Sequence, residues 1–433
     1  MERRNSLSLL IKDRCLRQVG DAPSLIGRAD ALLGACLGTR SVQFSTALVG
    51  SPWPVSDGVQ LGELRRLSAI QNFFEICLNI FQEAIGTDGD GWVRNLLLND
   101  APASMREEYH RKLPTEAYTL PLFFRTDEAA TGQIFEIQCP GSGWGDLILL
   151  SRLYAAHNEH VPVPDPIDAF VRDLQDCVPE AAQGVMHLLD ASSNPRSMQL
   201  FLRETASQVR YWSMASDVSY GGCRFIRGHS AHGLVAENLF SRRLFWCAKG
   251  ELKFDLPPLV LFDQKITLAL PFHERTRDRF SDEIREILVH TSIAQEDGFF
   301  DENGQWRSFD TFSTLPLEER RYVFKYAGFD TSENWGSRGV RCGTDDDFRQ
   351  ELKRIRISIG RNRPWIIQPE ISHMANVLVC NRNEIDQVKS EERYIKLSRF
   401  YGPSRYFGCK VMASSDSIVH GQSDTAVTIA GSY

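Results

Sequence analysis

The sequence predicts an α+β (mixed α/β) protein in which helices and antiparallel strands are interleaved, on three observations. Leu67, Ile70, Phe74, Cys77, Leu78, Phe81 and Ile85 recur every three or four positions and stop at Gly86, the spacing of an amphipathic helix with a glycine stop. Residues 117–138, "AYTLPLFFRTDEAATGQIFEIQ", are two aromatic and β-branched runs about a glycine-containing turn, which signals a hairpin. The closing segment from Arg393 onward alternates like antiparallel strands.

Taken in order, the first hundred residues are expected to be mainly helical, and the hairpin is followed by a helix over "GDLILLSRLYAAH". A helical pattern runs from Ile167 to Leu189, with strands around "QVRYWSM" and "RRLFWCAKGELKF". The apolar run 256–270, "LPPLVLFDQKITLAL", reads as a buried strand carrying Lys265. Then come a helix ("SDEIREILVHT"), a strand ("RRYVFKYAG") bearing Lys325, and a loop ("FDTSENWGSRGV") containing Gly336 and Gly339. A helix ("DDDFRQELKRIR") and a strand ("PWIIQPEI") with Gln368 complete the series.

At 433 residues, 42% of them hydrophobic and 24% charged, the chain has the composition of an ordinary globular protein. A net charge of -7 argues against a nucleic-acid-binding surface, which needs clustered Lys and Arg. No apolar run approaches the length of a membrane span, and charges interrupt the N-terminus before a signal-peptide core develops. The ten cysteines are scattered singly with no CxxC pair, so reduced thiols and a cytoplasmic location are expected.

Chemistry is expected first at the hairpin. Side chains alternate along a strand, so Arg125 and Asp127 share one face, and Glu136 and Gln138 share one face of the partner. Aligned, these groups suit a hard cation such as Mg²⁺ with a phosphoryl oxygen clamped by the Arg. The ordinary account of any single charged strand residue is a surface ion pair. Distant signals shift the balance: Lys325 before a glycine loop and Lys265 suit a polyphosphate, and Gln368 with nearby backbone amides suits the edge of adenine.

Other candidates are weaker. "GSGWGD" is G-x-G-x-G, not the G-x-G-x-x-G of a dinucleotide fingerprint. The pairs His157/His160 and His229/His232 lack a third zinc ligand. Ser142 lies outside any G-x-S-x-G elbow, and Cys139 reads as a buried thiol.

The order of these motifs resembles the ATP-grasp ligases, in the circularly permuted branch typified by the synthetase domain of bacterial glutathionylspermidine synthase. In that branch an R-x-D strand and an E-x-N strand precede the lysines, glycine loop and adenine hinge; here they are "FFRTDE" and "IFEIQ", with Gln138 in place of Asn. The likeness covers residues 117–145 and 256–433. It implies an ATP-grasp-like, permuted fold in three spans: a helical N-terminal region (1–115), a metal-binding hairpin and substrate region (116–255) and an ATP-binding region (256–433). It also implies Arg125 as the catalytic cation, Asp127, Glu136 and Gln138 on Mg²⁺, and Lys265, Lys325, Gly336, Gly339 and Gln368 on ATP. Ser142 and Trp144 would touch substrate. The implied reaction joins a small-molecule carboxylate and an amine through an acyl phosphate, with no nucleic-acid or membrane partner. A catalytically inactive ATP-binding regulatory module and a dinucleotide-dependent oxidoreductase are the alternatives.

Overall fold

The structure is a computed structural model that describes residues 47–49, 53–55, 57–86, 91–98, 100–110, 118–139, 143–157, 165–178, 185–187, 205, 211–213, 225–227, 253–256, 259–334, 338–380, 388–419 and 425–432. It mixes helices with mainly antiparallel sheets, as the sequence predicts.

The largest sheet has eight strands and is organised on Val388–Tyr401. One edge of that strand pairs with Tyr406–Ser414; the other is divided, residues 388–394 pairing with Met374–Cys380 and residues 396–401 with Phe124–Ala129. Phe124–Ala129 then pairs with Ile134–Gln138, which is the expected hairpin, with Gly132 at a positive φ of 92° in its turn. Ala426–Ser432 and the short strands Ala47–Val49 and Trp53–Val55 complete the sheet.

Alternation along these strands sorts the side chains onto two covered faces. The expected first helix forms as Asp57–Gly86 and lies on one face, where Phe74 meets Phe124 edge-on. Helices Trp144–His157 and Pro166–Cys177 cover the other, packing Trp144, Leu147 and Phe170 against Phe400, Phe407 and Met412. A second sheet orders Val340–Cys342, Tyr322–Tyr326, Trp365–Pro369 and Ser292–Ile293, all antiparallel, with Phe348, Leu352 and Ile355 of helix Phe348–Gly360 in its core.

Two expectations are corrected. The run 256–270 is not a strand: Val260–Asp263 and Lys265–Ala269 are short 3₁₀ helices, in which the Thr267 hydroxyl and backbone N–H both donate to the Gln264 carbonyl. Ile266, Leu268 and Ala269 are all buried, and a run enclosed on every side carries no period by which helix and strand are told apart. The helix over Ile167–Leu189 ends at Cys177, ahead of Pro179, and Val185–His187 is a strand in a small parallel sheet with Tyr211–Ser213, Phe225–Arg227 and Lys253–Phe254. Residues 1–46 of the expected helical N-terminal region, Ser142, Gly336, His160 and the pair His229/His232 lie outside the described residues.

Candidate functional site

The hairpin register places Asp127 directly opposite Glu136 and Arg125 opposite Gln138, so the four groups share one face as the sequence predicts. Two carboxylates facing each other across a strand pair repel, and such a pair persists only where cations surround it. Here they do. Arg125 Nε and Nη2 lie 2.9 and 3.1 Å from Asp127 Oδ1 and Oδ2, Lys396 Nζ is 3.0 Å from Oδ2, and the Ser398 hydroxyl donates to Oδ1 at 2.8 Å. Burial alone would raise the Asp127 pKa. The Arg125 and Lys396 charges and the bonds from Lys396 and Ser398 outweigh it and hold the carboxyl well below the usual range.

The same row continues across the sheet. Lys410, Ser398, Asp127 and Glu136 stand opposite one another on four consecutive strands. Lys410 Nζ is 3.0 Å from Asp146 in the first turn of helix Trp144–His157. Gly143, before that helix, has φ +92°, and a Cβ there would sit 3.5 Å from Lys410 Nζ and 3.7 Å from Arg125 Nη1. The glycine turn therefore leaves the hairpin flush against two cations. Trp144 is 2% exposed within a cluster of Phe123, Phe170, Phe400 and Phe407, so it anchors the helix rather than facing a substrate.

At the other end of the row, Lys265 Nζ is 3.8 Å from Glu136 Oε1 and donates to the Asn334 carbonyl and side chain at 3.1 and 2.8 Å. Glu136 is half-buried; burial would raise its pKa, but Lys265, with Lys325 and Lys396, draws it below the ordinary value against the opposing Asp127 charge. Lys325 donates to the Phe135 carbonyl at 3.2 Å with its ammonium 4.6 Å from the Phe135 ring centroid. The same carbonyl accepts from Gln368 Nε2 at 3.3 Å, and Gln368 also donates to Thr291 Oγ1 at 2.8 Å. Lys325 and Gln368 thus tie the hairpin to the second sheet. Gln368 Oε1 is buried without a hydrogen-bond partner, leaving an acceptor in this corner.

The glycine loop differs from expectation. Gly339 is buried, its N–H donating to the Glu333 carbonyl at 2.8 Å and its carbonyl accepting from Tyr326, so its backbone closes the loop instead of facing a ligand. A Cβ there would come within 2.7 Å of the Glu333 carbonyl oxygen, which is why the position takes glycine.

The sequence reading missed Lys396, Ser398, Lys410 and Asp146. A partial signal was available for two of them: "YIKLSRFY" sets Lys396 and Ser398 two apart, so both lie on one face of their strand, and the pairing then brings that face beside Asp127. Among the described residues no group of three or more His, Cys, Asp or Glu side chains is placed to hold a metal ion, and no helix is long and apolar enough to cross a membrane.

No protein-family model matches the sequence, and no curated protein matches it. Among solved structures, the chain is similar to a glutathione synthetase-like effector from Globodera pallida in its apo form, at 13% identity over 96% of both chains with a TM-score of 0.49. It is also similar to the "Putative gamma-glutamylcysteine synthetase" of Methylobacillus flagellatus KT, at 11% identity over 77% of this chain and 83% of that one, with a TM-score of 0.38.

Proposed function

We propose that the site binds ATP and ligates a small-molecule carboxylate, such as an amino acid or short peptide, to an amine, on a permuted ATP-grasp-like scaffold. The observation that carries the reading is electrostatic. Arg125, Lys265, Lys325, Lys396 and Lys410 surround three carboxylates, Asp127, Glu136 and Asp146, and the surplus positive charge calls for a multiply charged anion. Phosphoryl transfer needs little from a protein beyond position and charge of this kind.

The donor set fits one hard cation. Glu136 supplies the carboxylate; the Gln138 amide N–H donates to Glu136 Oε1 at 3.4 Å, so a turn of that amide would bring its oxygen to the same ion. Asp127 does not offer an open position, since both its oxygens are engaged by Arg125 and by Lys396 or Ser398. Magnesium, when bound, supplies charge neutralisation at the transferring phosphoryl group. Arg125, held to Asp127 by one hydrogen bond from Nη2 and an ion-pair contact through Nε, brings its charge to that group, and Lys265 and Lys325 flank the phosphates. Lys410 and the turn at Gly143 border the place for the acceptor carboxylate. Gln368 Oε1 is the acceptor for the adenine amine.

An ADP-release assay with pooled carboxylates and amines tests this. Amine-dependent turnover is expected, with Glu136→Gln lowering it about a hundredfold or more. Nucleotide turnover that no carboxylate and amine pairing stimulates would remove the ligase reading.

A further inference from the structure

Lys396 is the unusual member of the site. It is 8% exposed on the central strand of the sheet, two residues from Ser398 and on the same face, and its ammonium reaches diagonally across to Asp127 Oδ2 at 3.0 Å. An ammonium in that place meets the same carboxylate that the sequence motif would assign to a metal ion. It is close enough to Glu136 and Lys325 to act on both of their charges. Ser398 and Arg125 take the rest of the Asp127 oxygens, so the carboxylate has a complete set of donors made from the chain itself.

We infer that Lys396 serves as a tethered cation beside Asp127, taking a position that a divalent ion would otherwise occupy, so that the site binds a single divalent ion, on Glu136 and Gln138. Asp127 is then a positioning residue for Arg125 and Lys396 rather than a metal ligand. The assignment deepens the proposed ATP site, because it divides the charge facing the phosphates between one mobile ion and one fixed side chain. A fixed ammonium has a consequence that a second ion lacks: it is present at any metal concentration, and it costs no dehydration of a divalent ion when the anion binds.

The test is a titration of the full-length protein with Mn²⁺ alone, followed by the loss of its free electron paramagnetic resonance signal. In the wild type, Mn²⁺ binding should weaken about tenfold or more in Glu136→Gln and change little in Asp127→Asn. Lys396→Met should gain a second, Asp127-dependent Mn²⁺ site that disappears in the Lys396→Met, Asp127→Asn double variant. Lys396→Arg, which keeps the charge, should behave as the wild type, and with Asp127→Asn it decides the matter if Lys396→Met does not fold. Two Mn²⁺ ions bound by the wild type, or a loss in Asp127→Asn as large as in Glu136→Gln, would overturn the assignment. A thermal shift with ADP, run on the same samples, separates this from the nucleotide reading: its absence in the wild type removes ATP while leaving the Mn²⁺ result to stand or fall alone.

Discussion

At Lys325 burial works against the charge that an anion site needs. Removal from water pushes the ammonium down to about 8, with Glu136 opposing the shift and Lys265 adding to it. The side chain is therefore charged at neutral pH and loses its proton in a range where an ordinary lysine does not. ADP affinity is expected to fall by about tenfold as the pH rises through this value, and Lys325→Met should bind more weakly throughout and lose that inflection. Isothermal titration across the range checks it; an unchanged inflection in the variant would assign the proton elsewhere. Linkage fixes the sign for stability as well. The folded pKa lies below the unfolded 10.5, so the folded state holds fewer protons between about 8 and 10.5, and stability from this group rises with pH across that window. Lys325→Met should flatten the rise in denaturation midpoints measured over the same range.

Helix Asp57–Gly86 is held to the sheet by more than its apolar stripe. Glu63 accepts from Arg399 and, at 2.7 Å, from the Tyr401 hydroxyl. Arg399 and Arg66 both pair with Glu128, at 2.9 and 3.0 Å, on the face opposite Asp127. Removing one member of a buried network leaves its partners charged and desolvated, so Glu63→Ala should cost about 3 kcal/mol in urea denaturation. A change below about 0.5 kcal/mol would show the network to be solvated. This helix was legible because one face is apolar and the other polar, which imprints a 3.6 period on "LSAIQNFFEICLNIF", and the hairpin because its two aromatic and β-branched runs flank a glycine-containing turn. The segment 256–270 was not, since enclosure on all sides erases the period. Trp144 misled for a related reason. It follows a glycine-rich stretch that reads as a turn, and only the helix that it opens reveals that the indole is packed inward.

The candidate site draws residues from strands that are far apart in the chain, and this limited what the sequence could disclose. Arg125, Asp127, Glu136 and Gln138 were found together because a hairpin keeps them local. Lys396 and Lys410 enter only through pairing at separations near 270 residues, which no local pattern encodes. The large sheet likewise takes strands from each of the three spans that the sequence suggested, as Ala47–Val49, Phe124–Ala129 and Val388–Tyr401 show.

The join between the two sheets is the point at which a change in one reaches the other. The Phe135 carbonyl accepts from both Lys325 and Gln368, and Gln368 carries a second bond to Thr291. Because Phe135 lies between Ile134 and Glu136 on the hairpin strand, these bonds set the depth of Glu136 relative to Lys265 and Lys325. Replacing Gln368 by Leu removes two donors from buried acceptors and should cost about 2 kcal/mol in global stability. A local packing residue would confine its effect to Trp365–Pro369. A residue that joins two sheets would also raise amide exchange along Ile134–Gln138, on a different sheet and over 200 positions away in sequence. Hydrogen-exchange mass spectrometry of Gln368→Leu against the wild type decides between them. Faster exchange in both strands, with weaker ADP binding, is the expected result. Faster exchange in Trp365–Pro369 alone would mean that the hairpin holds its position through its own sheet, and that Phe135 is not the link between the lysines and the carboxylates.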